Sequence, residues 1–93
     1  MAKIVVKQAH NKSEQAVREL VEDLQVQLRD EFDLEGRWQS DTVISFKRSG
    51  VSGELCIEPN CVVVSLKLGM MLGMYANKIQ RKLETMMAEK LSD

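Results

Sequence analysis

The sequence predicts an α+β fold of order β-α-β-β-β-β-α, with a largely antiparallel sheet and both helices on one of its faces. Two stretches with apolar residues at three- and four-residue spacing enclose a run of short segments whose apolar residues alternate. Across three successive turns in that run the alternation keeps one phase. A slip of one residue would throw a whole apolar set to the opposite face, so the register is specified by the pattern itself.

Each element has its own signal. Residues 3–9 alternate, with Ile4 and Val6 on one side, which suits a first strand whose most plausible neighbour is the last strand. Asn11 followed by Glu14 has the spacing of a capping box and predicts a helix over about residues 12–31. Val17, Leu20, Val21, Leu24 and Leu28 form its apolar stripe. Gly36 lies just past it, and Phe32 and Leu34 are expected to fold back onto the core.

Four strands follow as a meander. A loop at Ser40-Asp41-Thr42 brings Trp38 opposite Ile44 on the inner face. Ser49-Gly50 is a two-residue hairpin signal that pairs Arg48 with Val51 and Phe46 with Gly53, so the ring lies over a residue with no side chain. Pro59-Asn60 makes the next turn and sets Ile57 opposite Val62. Val51, Leu55 and Ile57, then Val62, Val64, Leu66 and Leu68, complete the inward set. A second amphipathic helix carries Leu72, Tyr75, Ala76, Ile79, Leu83, Met86 and Met87 and ends near Lys90. Its start is open, because Gly69 and Gly73 each cost roughly 1 kcal/mol relative to Ala inside a helix. Residues 69–73 can instead form a hinge.

The 93 residues suit one domain, 1–93, with room for one core but little material to enclose a ligand cavity. The contents of 44% hydrophobic and 29% charged residues are those of a globular chain. A net charge of −1 argues against nucleic acid as a partner, since no basic stripe is matched to phosphates. Residues 1–35 carry five Lys/Arg against eight Asp/Glu, and residues 36–93 carry eight against six, a mild asymmetry. Met1-Ala2-Lys3 leads straight into a short strand rather than a signal core, and no apolar run approaches a transmembrane length. The expected location is the cytoplasm, where Cys56 and Cys61 are free thiols.

Chemistry is constrained largely by exclusion. The only histidine, His10, falls at a strand end and reads as a surface or turn residue, and no serine has an elbow motif around it. Cys56 and Cys61 share the outer parity of their hairpin, and nearby Glu58 disfavours a thiolate. Two Cys and one distant His do not make a zinc site. Asp30, Glu31, Asp33 and Glu35 lack the spacing of an EF-hand loop and read as a solvated patch. Residues 48–53, RSGVSG, lack the Gly-Lys-Ser/Thr ending of a phosphate loop and read as a hairpin turn. No catalytic residue, cofactor or metal is expected.

One cluster stands out: Met70, Met71, Leu72, Met74 and Tyr75. One helix face can bury Leu72, Tyr75 and Ala76, which leaves the three methionines on other faces or in a loop. Methionine serves irregular cores and adaptable binding surfaces alike, and a contiguous exposed apolar patch marks a contact site. The bland alternative is that they cap an open end of the core. A second candidate is a groove between the sheet and the last helix, lined by Trp38, Phe46, Leu55, Val64 and Ile79.

Residues 46–59 (FKRSGVSGELCIEP), 62–72 (VVVSLKLGMML), 35–41 (EGRWQSD) and a terminal helix with Lys78, Ile79, Lys82 and Leu83 resemble the small polyhydroxyalkanoic acid system proteins. The resemblance covers essentially the whole chain, and its best elements, the RSGVSG hairpin and Leu68-Gly69, are structural motifs. Members of that family often carry a proline soon after the Leu-Gly segment, where this chain reads Met74-Tyr75-Ala76-Asn77-Lys78. The resemblance implies a bacterial protein associated with polyhydroxyalkanoate synthesis genes, with a role at the storage granule and no enzymatic residues to carry over. The order of elements is also similar to a shortened START-like helix-grip fold, which concerns fold alone.

Three readings follow: a non-enzymatic accessory protein touching the granule or a granule-coat protein, a binding module for an acyl-type small molecule in the groove, and a homodimer whose interface is the methionine patch.

Overall fold

In a computed structural model, which describes residues 2–92, the chain runs β1 (Ala2–Ala9), α1 (Glu14–Phe32), β2 (Glu35–Trp38), β3 (Val43–Arg48), β4 (Val51–Glu58), β5 (Cys61–Leu68), α2 (Met70–Gly73) and α3 (Ala76–Leu91). Met1 and Asp93, the ends of the expected 1–93 span, lie outside the described residues. The five strands form one sheet of order β1-β5-β4-β3-β2, antiparallel throughout. The helices share one face, α3 packing chiefly over β1 and α1 over β2 and β4.

Every pairing read from the turns is present: Trp38 with Ile44, Phe46 with Gly53, Arg48 with Val51 and Ile57 with Val62. β1 lies beside β5, with Ile4 opposite Leu66 and Val6 opposite Val64. At the Ser49-Gly50 turn the left-handed backbone falls on Gly50 alone, at φ 83°. That matches the third position of a type II turn, which glycine accepts without steric cost. The core is the inner sheet face closed by Val17, Val21, Leu24 and Leu28 of α1 and Leu83, Met86, Met87 and Leu91 of α3.

Several expectations are corrected. The N-cap of α1 is Ser13, whose hydroxyl accepts from the Ala16 amide at 3.2 Å, and not Asn11. Asn11 loses the role because the chain does not turn into α1 there: the amide of Lys12 is bonded to the His10 ring instead. At the other end of α1 Asp33 takes the left-handed cap position (φ 58°) and donates its amide to the Arg29 carbonyl at 3.0 Å. Gly36 sits inside β2 opposite Phe46, where its missing side chain is needed. The last helix is two: Gly69 and Gly73 confine α2 to one turn, and α3 starts afresh at Ala76.

His10 is indeed at a turn, but it is buried rather than on the surface. Its amide donates to the Asn60 carbonyl at 2.9 Å, Nδ1 accepts from the Lys12 amide at 3.2 Å, and Nε2 lies 3.1 Å from the Glu58 carbonyl oxygen. With Nδ1 accepting, the proton sits on Nε2 and the ring bridges the end of β1 to the β4–β5 turn. Cys61 keeps its outer parity yet is only 2% exposed, because it lies between Ala9 of β1 and Glu58 of β4 in register.

Candidate functional site

The site is built by two glycines far apart in sequence. Gly69, in extended conformation, is the N-cap of α2 and donates its amide to the Gly50 carbonyl at 2.8 Å. That bond fixes the exit of β5 to the β3–β4 turn. A Cβ at Gly50 would meet the Leu72 side chain at 3.4 Å, so Leu72 rests on the turn and is half-buried. α2 is thus held by its one inward residue, with backbone bonds from Leu72 and Gly73 to the Gly69 carbonyl at 3.1 and 2.9 Å.

A one-turn helix anchored in this way must turn its remaining side chains outward. Met70, Met71 and Met74 are 86%, 87% and 80% exposed, and Tyr75 is 51% exposed. Tyr75 was expected on the buried face with Leu72 and Ala76. It becomes the N-cap of α3, and the break between the helices rotates it out of the stripe. Met86 and Met87, by contrast, are core residues. Among the described residues the methionines therefore fall into an exposed group and a buried one.

Beside α2 runs an open groove of about 470 Å³ between the end of α1 and the start of α3. Leu34, Val51, Leu66 and Leu68 form its floor, and Leu72, Tyr75 and Ile79 its apolar wall. Its rim carries charges of both signs. Lys82 of α3 pairs with Glu31 of α1, and the Arg48 guanidinium donates to the Phe32 carbonyl at 2.9 Å. The second contact places a cation on the last carbonyls of α1, where the helix dipole favours it.

Of the residues expected to line a groove, only Ile79 lines this one. Phe46, Leu55 and Val64 are wholly inside the core, because α1 and α3 close directly over them. Trp38 lies at the opposite edge of the sheet against α1, its indole N–H donating to Glu22 at 2.5 Å and the Arg18 guanidinium 5.0 Å above its ring. That separation follows from strand order, which periodicity alone does not display: β2 and β1 are the two edges of the sheet.

Neither thiol is activated. Burial pushes the Cys56 thiol up, and the Glu54 and Glu58 carboxylates add to it. Burial also raises Cys61, which donates to Glu58 at 3.4 Å, with Lys7 opposing weakly. Among the described residues no group of three His, Cys, Asp or Glu is placed to hold a metal ion, and no helix is long and apolar enough to cross a membrane.

Fold and site together define a small α+β protein whose most exposed apolar surface is a one-turn helix pinned to a hairpin. The chain belongs to the family described as "Putative polyhydroxyalkanoic acid system protein", whose sequence profile matches residues 4–91. That description ties it to the polyhydroxyalkanoic acid system. No curated protein and no solved structure is significantly similar to it.

Proposed function

We propose that this chain is a non-enzymatic accessory protein of the polyhydroxyalkanoate storage system, acting in the cytoplasm at the granule. It contacts the granule surface, or a protein coating it, through Met70, Met71, Met74 and Tyr75. The observation that carries the reading is the exposure of three methionines at 80–87% on and just after a one-turn helix that turns Leu72 inward. Long, unbranched thioether side chains adapt to an irregular apolar surface, and exposed apolar clusters of this kind mark contact sites. Membership in a polyhydroxyalkanoic acid system family supports taking the granule as that surface.

The test is sedimentation with polyhydroxyalkanoate particles. Wild type should pellet with the particles, and a Met70→Ser, Met71→Ser, Met74→Ser variant should stay in the supernatant. If wild type also stays in the supernatant, direct granule contact is wrong. Light scattering then decides whether the patch is instead the interface of a homodimer.

A second reading is supported by the groove of about 470 Å³, which is as large as many small-ligand sites and has an apolar floor. It would take an acyl-type molecule between sheet and α3. Tyr75 lines this groove and Trp38 does not. Acyl ligands that leave Tyr75 emission unchanged would sink the reading.

A further inference from the structure

α2 closes the same end of the sheet at which a row of lysines crosses its outer face. Lys3 of β1 stands directly opposite Lys67 of β5, Lys67 opposite Ser52 of β4, and Ser52 opposite Lys47 of β3. All four are exposed, around a shallow depression of about 540 Å³ that also takes in Ser45 and Ser65. Like charges placed directly opposite in an antiparallel pair destabilise a sheet, so stability does not account for Lys3 facing Lys67. Among the described residues, none of the three lysines has a carboxylate within 4.0 Å. The acids of this face are Glu35, opposite Lys47 at the far edge, Glu54, one row further in, and Glu58, at the other end of β4. Lys3 and Lys67 are left facing each other.

The row adjoins the methionines. Lys67 precedes Met70 by three residues, and a Cβ on Gly73 would touch Ala2, the neighbour of Lys3, at 3.6 Å. Lys47 precedes the turn whose Gly50 carbonyl holds Gly69. Exposed apolar side chains and lysines with no carboxylate partner among the described residues therefore share one end of the molecule.

We infer that this end docks on an anionic lipid surface, with Met70, Met71 and Met74 entering the headgroup layer and Lys3, Lys47 and Lys67 pairing with its phosphates. The inference rests on the reading of α2 as the contact site and adds the chemistry of what it meets. Composition favours lipid over an acidic protein. Lysine is depleted in protein–protein interfaces, whereas lysines flanking apolar residues are the makeup of segments that lie in a membrane interface. Anionic headgroups attract basic side chains over about a Debye length, so the docking is sensitive to salt.

The experiment pellets the protein with phosphatidylcholine vesicles and with vesicles of equal parts phosphatidylcholine and phosphatidylglycerol, at low and at high salt. Wild type should bind the phosphatidylglycerol vesicles, bind the neutral ones far more weakly, and be released by salt. A Lys3→Gln, Lys47→Gln, Lys67→Gln variant should lose roughly tenfold or more in vesicle affinity while still pelleting with uncharged polymer particles. Equal binding to both vesicles, indifference to salt, or a glutamine variant that binds like wild type would overturn the inference. Unimpaired vesicle binding by the methionine-to-serine variant would overturn the insertion of α2. Wild type that binds polymer particles but neither vesicle sinks this inference alone. Wild type that binds neither particles nor vesicles sinks the contact reading beneath it. The salt dependence of wild type stands even if a variant fails to fold.

Discussion

Gly36 of β2 lies directly opposite Phe46 of β3, and a Cβ at Gly36 would stand 2.7 Å from that ring. On its other side Phe46 pairs with Gly53 of β4, but the space there is taken by Leu66, whose side chain a Cβ would meet at 2.6 Å, so the ring lies over Gly36. The glycines are not equivalent. The Cβ of an alanine at Gly36 meets side-chain atoms of Ile44 and Phe46, which can shift. At Gly53 it meets the Ser65 carbonyl oxygen at 2.2 Å, which belongs to the neighbouring strand's backbone. Gly36→Ala should cost about 1–3 kcal/mol, as overpacking does, and Gly53→Ala more. Urea unfolding measures both, and equal costs would contradict the packing described.

Asp33 holds the left-handed cap of α1 at a helix end where negative charge is unfavourable. Asp33→Gly removes both penalties, against glycine's own entropic cost in the unfolded chain. It should stabilise by about 0.5 kcal/mol, seen as a small rise in Tm. A lower Tm would show that the Asp33 carboxylate does something the fold needs.

These two positions show how much of the architecture was legible. Alternation in the middle strands carried the whole register, because both turns and parity point to the same pairs. Capping was less legible: Asn11 with Glu14 has the right residue types, and the choice between Asn11 and Ser13 depended on where His10 had to pack. The methionine cluster was visible as composition, but its exposure followed from the Gly69–Gly50 bond, a contact between residues 19 apart in sequence. The expected groove wall is split for a topological reason, since Trp38 lies on edge strand β2 and Ile79 on α3, which packs over the opposite edge strand β1. The lysine row on the outer face emerges only when the register of four strands is laid side by side.

Cys56 and Cys61 link stability to pH. Burial raises both thiols in the folded chain, so the unfolded chain releases its thiol protons at lower pH than the folded one does. This contribution is complete below the ordinary thiol value of about 8.5 and is lost as pH rises through the higher folded values. Unfolding free energy should fall between neutral pH and about pH 10, and less steeply in a Cys56→Ala, Cys61→Ala variant. Alkylation at neutral pH should be slow at both, and slower at Cys61, which is the more buried.

The methionines divide by burial, and so should their substitutions. Met87→Ala empties a fully buried position and should cost about 2–5 kcal/mol. Met70→Ser, Met71→Ser and Met74→Ser should each change stability by no more than about 0.5 kcal/mol. Thermal melts of the four variants check this, and a large loss at Met71 would mean that it supports the core rather than a contact.

Methionine oxidation read by mass spectrometry, with the protein free and bound to polyhydroxyalkanoate particles, tests the central claim most directly. In the free protein dilute peroxide should convert Met70, Met71 and Met74 to sulfoxides and spare Met86 and Met87, which are 6% and 0% exposed. On the particles the first three should become protected while the buried pair stays unreactive. Oxidation of Met70, Met71 and Met74 at the same rate in bound and free protein would show that α2 is not the surface that makes the contact.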